Sequence, residues 1–255
     1  MKTNFLFALA AFSAIMLTSC GGDKSILAEN AAAMDETLSG ADLSMFGKFD
    51  GVDYDDESNE LMFDIKDSRV KPATVKDNFD KFGPVLFKYL FLNYDKRRAL
   101  IDQKVKALDT KVVFEIKPLD GVEKAIVNIP AAKYHEINGL VIAPEDELEA
   151  RISAKDEIYG LPLQLDKGEQ VTDLAYADGK LIVTIAVSPE SLSTIANNEV
   201  YFKQHGIEII QNRLHDDGAL CAEGNMAVIL RYVGTNGKGS KDVELGPTVV
   251  ASRLR

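Results

Sequence analysis

The stretch VTDLAYADGKLIVTIAV, residues 171–187, decides the fold. Apolar and polar side chains alternate up to Tyr176, Asp178-Gly179 supplies a pair suited to a tight primed turn, and Leu181, Val183 and Ile185 resume the alternation. Period-2 alternation on both sides of a two-residue turn is the signature of a β-hairpin with one buried face. The same pattern stands earlier in the chain. Gly51–Tyr54 and Leu61–Lys66 flank the polar stretch Asp55–Asn59, and Leu61, Phe63 and Ile65 precede Leu181, Val183 and Ile185 by 120 residues.

The offset extends outward from the hairpins. Gly40 closes a helix-like stretch from Leu27 to Leu38, and Gly160 closes one from Glu145 to Ile158, which Pro144 and three acidic residues open as a helix N-terminus should be opened. Leu43-Ser44-Met45 and Leu163-Gln164-Leu165 are short alternating segments, also 120 apart. After the hairpins come helical patterns: Phe82, Val85, Leu86, Tyr89 and Leu90, then Leu100, Ile101, Val105 and Leu108 in the first half. Ser188-Pro189-Glu190 caps a helix in the second half, followed by Phe202, Ile207, Ile210 and Leu214 at helical spacing. Val112–Ile116 and Val228–Tyr232 then return to strand alternation at offset 116, Gly121 and Gly237 keep it, and Pro130 and Pro247 stand 117 apart. A series in this order predicts two tandem, similar α+β units, 27–137 and 144–255, each an antiparallel sheet with helices packed on one face. The rival reading is a single α+β domain whose strands merely look alike. The connection NGLVIA, 138–143, is short and apolar, so the units are expected to pack together, with a ligand or partner meeting the groove between them.

The first nineteen residues belong to no globular fold. Lys2 precedes FLFALAAFSAIML, residues 5–17, an uncharged run too short to span a bilayer and suited to a signal peptide. It ends in Leu17-Thr18-Ser19-Cys20, followed by Gly21-Gly22, which resembles the lipobox of bacterial lipoproteins. That resemblance implies cleavage before Cys20, acyl chains on it, residues 20–26 as a tether, and contact with the membrane through that lipid. The competing reading is an ordinary secretory peptide with an incidental cysteine. Gly21, where family members kept at the inner membrane carry Asp, favours the outer membrane. The second half also resembles a family of small, uncharacterised envelope lipoproteins of Gram-negative anaerobes, through Val171-Thr172, Tyr176, Asp178-Gly179-Lys180 and Leu230-Arg231-Tyr232-Val233-Gly234. The resemblance covers about residues 163–255 and brings no activity with it.

Removing residues 1–19 takes away one basic residue, Lys2, and no acidic one, leaving 28 Lys and Arg against 40 Asp and Glu, a net charge of −12. Such a chain is a poor match for nucleic acid, whose phosphates dominate affinity. Cys221 is the only cysteine besides Cys20, so no disulfide forms within the mature chain, and the absence of Trp argues mildly against sugar stacking. The chemistry-bearing residues are sparse, and no HExxH, GxSxG, GxGxxG or phosphate-binding loop occurs. His215-Asp216-Asp217, placed in a loop after a helix, is the most ligand-like triplet. Asp53, Asp55, Glu57 and Asn59 have the spacing of a calcium loop, but Ser58 replaces its glycine and the repeat reads the segment as a hairpin turn. Tyr134-His135-Glu136 falls on a short amphipathic segment. Cys221, with no cation close beside it and no partner cysteine, reads as a quiet, partly buried thiol rather than a redox one. Lys96-Arg97-Arg98, with Lys104 and Lys106, forms a basic helix face, the one surface suited to an acidic partner. No catalytic, cofactor or metal residue is assigned. The expectation is a lipid-anchored envelope protein that binds or assembles, with another envelope protein as partner; the alternative is an envelope hydrolase with scattered site residues.

Overall fold

The computed structural model describes residues 22–92, 95–195 and 197–254, so the leader, the lipobox and Cys20 lie outside the described residues. The chain is α+β and builds two similar units. In the first, helix α1 (Asp23–Leu38) leads through a 3-10 turn (Ser44–Phe46) into strands β1 (Lys48–Asp55) and β2 (Glu60–Ser68). Helices α2 (Pro72–Asp77), α3 (Phe79–Leu92) and α4 (Asp95–Leu108) cross over to β3 (Lys111–Pro118) and β4 (Ala125–Ile129), and α5 (Ala131–Asn138) follows. The second unit repeats the plan: α6 (Pro144–Ser153), α7 (Lys155–Tyr159), β5 (Leu163–Gln164), a 3-10 turn (Asp166–Gly168), β6 (Gln170–Ala177), β7 (Lys180–Val187), α8 (Pro189–Ile195), α9 (Glu199–Arg213), α10 (His215–Glu223), β8 (Ala227–Gly234), β9 (Ser240–Leu245) and α11 (Pro247–Arg253).

Local chemistry places these elements. Pro144 opens α6 with Glu145, Asp146 and Glu147 in its first turn, where carboxylates meet the positive end of the helix dipole. The Ser188 hydroxyl accepts the Ser191 N–H at 3.1 Å at the start of α8. Asp178 and Gly179, both at positive φ, make the two-residue turn between β6 and β7. Asp55, the would-be calcium ligand, instead holds the β1–β2 turn, accepting Glu57 N–H at 2.9 Å and Ser58 Oγ–H at 2.7 Å. Residues 23–26, expected in a tether, are the first turn of α1. Lys104 holds Asp23 at 2.6 Å, Lys24 holds Asp56 at 2.7 Å, and Leu27 is fully buried one turn on.

The strand registers of the two units correspond residue for residue. Val52 faces Phe63 in the first hairpin and Leu174 faces Val183 in the second, and each hairpin carries a bulge at one place, Asp50 in β1 and Thr172 in β6. Leu61, Phe63 and Ile65 pair with Val112, Phe114 and Ile116; Leu181, Val183 and Ile185 pair with Val228, Leu230 and Tyr232. The helix C-termini match too, since Thr110 N–H bonds Val105 O at 2.9 Å and Met226 N–H bonds Cys221 O at 2.8 Å. Three details differ from the sequence reading. The β2–β3 and β7–β8 pairs are parallel, so each sheet is mixed: a crossover of helices, not a turn, joins these strands. Leu43 corresponds to Leu165 rather than Leu163, each leading into its 3-10 turn through one bond, Leu43 N–H to Gly47 O at 2.8 Å and Leu165 N–H to Glu169 O at 2.9 Å. The extra pair after Gly160 is Leu161-Pro162. Pro130 caps α5 whereas Pro247 is the first residue of α11, because the 116-residue offset runs on through β4 and β9.

Each sheet buries its alternate side chains in a core of its own. In the first, Phe63 stacks on Phe114 with centroids 5.0 Å apart, Phe87 meets Phe114 edge-on at 5.5 Å, and Tyr134 completes the cluster. In the second, Phe202 meets Tyr232 at 5.3 Å and the Tyr232 hydroxyl donates to Phe202 O. The helix pair α6–α7 serves both cores. Ala150 and Ala154 are buried in the first and Ile158 packs on it, while Leu148 is buried in the second with Ile152 and Tyr159 against it.

Candidate binding site at the seam between the units

Helix α6 brings two charged side chains to the seam, both buried. The Glu147 side chain is 1 % exposed and accepts hydrogen bonds from Lys88 Nζ at 2.7 Å and from the Tyr89 hydroxyl, both on α3. One turn later stands Arg151. Its Nε donates to Asp217 Oδ1 at 2.7 Å, Nη1 to Ser44 Oγ at 2.9 Å, and Nη2 to the Tyr159 hydroxyl at 3.0 Å and Asp216 Oδ2 at 3.2 Å. Tyr159 in turn donates to Asp217. Burial pushes the Asp217 carboxyl above the usual carboxylate range, against the pull of Arg151. Burial also raises the phenols of Tyr159 and Tyr89, with Asp217 and Glu147 adding to it. At the other end of the helix pair, Glu157 accepts the Lys71 N–H at 2.7 Å and the Thr74 hydroxyl at 2.8 Å. Each of these groups is engaged by another protein group, so the network fastens the seam; Glu147, Arg151 and Asp217 are sealed inside it, and Asp216 stands half exposed at its rim.

A groove of about 390 Å³ runs along the outside of the seam. Pro84 and Val85 of α3 and Leu140 and Ile142 of the connection form its apolar floor. Its rim carries Asp80, Asp146, Glu149 and Lys81; Lys81 reaches Glu149 at 3.4 Å and Lys133 reaches Asp80 at 2.8 Å. A larger groove, about 730 Å³, lies between α2 and the outer edge of β4. Its charges balance, with Lys71, Lys76 and Lys124 beside Asp77, Asp120 and Glu123, and the exposed side chains of Val122 and Ile126 line it.

The residues singled out from the sequence do not gather at either groove. His215, Asp216 and Asp217 begin α10 instead of a loop, and they diverge: His215 is exposed, Asp216 reaches the rim of the Arg151 network and Asp217 is sealed inside it. Leu214, packed in the core, ends α9 and lets the next helix start at once, which is why no loop forms. Among the described residues no three His, Cys, Asp or Glu side chains cluster as a metal site would require. Cys221 is buried and burial pushes its thiol up to about 12, as a quiet thiol requires. On α4, Lys104 is engaged by Asp23 and the Arg98 guanidinium lies 5.4 Å over the Phe91 ring, so the basic face is partly spent within the molecule. His135 sits on α5 with Nδ1 3.2 Å from Asp102.

Fold and seam together define a protein of two similar α+β units fastened through a shared helix pair. No known family model, curated protein or solved structure matches the chain. Among the described residues no helix is long and apolar enough to cross a membrane.

Proposed function

We propose that the chain is a cell-envelope protein, held on the outer membrane by lipid on Cys20, that works as a non-enzymatic binding or assembly module. The observation that carries the binding reading is the seam groove, with four apolar side chains lining it and the carboxylates of Asp80, Asp146 and Glu149 outnumbering their cations Lys81 and Lys133. An apolar floor with an acidic rim is complementary to a segment that alternates basic and apolar side chains, presented by another envelope protein. The position of the groove supports this, because sites favour the joints between units. A hydrolase would need a perturbed acid or base open to a cleft; of the two carboxyls that burial raises, Asp217 is fully enclosed and Asp64 lines neither groove. The test uses a synthetic peptide of alternating Lys and Leu, followed by fluorescence anisotropy against the purified protein. Saturable binding, weakened by salt and several-fold by Asp146→Lys with Glu149→Lys, is expected. Binding untouched by those changes, or lost instead on Val122→Asp with Ile126→Asp, overturns the assignment of the seam groove. Anchoring is checked separately: Cys20→Ala should abolish acyl mass and membrane partition, and unlipidated wild-type protein would refute it.

A further inference from the structure

The correspondence between the units identifies what stands opposite each buried charge. Gly40 and Gly160 both end their helices at positive φ, and Asp35 and Lys155 reach equivalent points of β1 and β6, namely Val52 N and Leu174 O. Arg151 therefore corresponds to Ala31, and Glu147 to Leu27. Asp217 corresponds to Ile101, by the matched ends of α4 and α10. Where the first unit places Ala31 and Ile101, both buried in one apolar core, the second places Arg151 and Asp217, both buried and ionic. The first unit packs the equivalent helices with no buried ion pair at these two positions.

We infer that the Arg151–Asp217 pair is a matching key that keeps two look-alike helices from exchanging places as the chain folds. Two similar units offer two similar docking slots, told apart at the surface by Asp35 on the Val52 N–H and Lys155 on the Leu174 carbonyl, and inside by this pair. In the slot of the second unit, α1 would set Ala31 against Asp217 and leave a buried carboxylate with no cation. In the slot of the first unit, α6 would drive Arg151 against Ile101 and Glu147 into the place of Leu27, burying two charges without partners. Only the native arrangement gives Glu147, Arg151 and Asp217 their partners, and a buried charge without its partner is among the costliest faults a fold can carry. The key lies in the helix that both cores share, where a wrong choice would disrupt both units.

The experiment makes the two slots alike at this pair. Arg151→Ala with Asp217→Ile gives the second unit the residues of the first, and Ala31→Arg with Ile101→Asp does the converse. Each double variant is refolded from urea over a range of protein concentrations, and its species are separated by size and weighed by light scattering. Helices exchanged between molecules should appear as dimers and larger species, about tenfold more abundant than in the unaltered protein at the same concentration. The reversed pair, Arg151→Asp with Asp217→Arg, perturbs the same site yet keeps the slots distinct, so it should refold as cleanly as the unaltered chain. Clean refolding of both like-slot variants overturns the inference, as does equal oligomer formation by the reversed pair. Failure of both like-slot variants to fold at all would overturn it too, because a key of this kind selects between docked states and is not needed to reach one.

Discussion

Cys221 shows how a single side chain reports its surroundings. It occupies the place of Val105 in the other unit, is fully buried, and holds its proton up to about pH 12 against 9.0 for a free thiol. The folded pKa is the raised one, so this contribution to stability is complete below pH 9.0 and is lost as the pH climbs towards 12. The buried phenols of Tyr134, Tyr159 and Tyr232 are raised as well and act in the same direction. Urea midpoints measured between pH 8 and 11 should therefore fall with rising pH, each such group adding up to about 1.4 kcal/mol per pH unit within its window. Cys221→Val should fold and show a shallower fall. At Arg151 the effect is on the pair: Arg151→Ala strands the Asp217 carboxylate inside the protein and should cost about 3–5 kcal/mol by urea unfolding. The sequence disclosed the quiet thiol, because no cation flanks it. It hid the Arg151–Asp217 pair, since partners 66 positions apart leave no local pattern. The one available signal was a charge at each position where the other half places Ala31 and Ile101.

Elements were legible wherever periodicity and turn chemistry agree. Both hairpins, the matched registers at offsets of 120 and 116, and the helix ending at Gly160 follow from alternation, Asp178-Gly179 and a left-handed cap. The parallel pairing of β2 with β3 was not legible. It depends on a crossover through three helices, and alternation in a strand does not encode the direction of its neighbour. The turn at Gly47 was equally silent. Its φ is +90°, and a Cβ there would stand 2.1 Å from the Lys66 carbonyl oxygen, so only glycine lets the chain pass beneath β2 on its way into β1. Gly47→Ala should lower stability by at least about 1–3 kcal/mol, read as a drop in the thermal midpoint. Gly121→Ala, at positive φ but with open space around it, should cost less.

For the whole molecule, the shared helix pair governs behaviour. The short apolar connection pointed to units in contact, and Ala150, Ala154 and Ile158 in the first core with Leu148 and Ile152 in or against the second give that contact its form. Neither core can open without exposing part of the other. Heating should accordingly give one transition, with calorimetric and van't Hoff enthalpies equal; two resolved transitions would refute the linkage. The groove between the units was anticipated from the connection alone, whereas its acidic rim comes from α3 and α6 brought together, which no linear pattern records.

The connection crosses the seam in the open, with Val141 96 % exposed, while the contacts on either side of it are buried. Continuity of the backbone and integrity of the molecule are thus separate matters. A protease given the native protein should nick it near Leu140-Val141, and the two pieces should still travel together through gel filtration and part only in denaturant. Expressed as separate polypeptides, residues 1–140 would lack the side chains that plug their core at Ala150 and Ala154, and would find them again in residues 141–255. The seam makes the protein a natural split reporter, whose halves recognise each other by complementation.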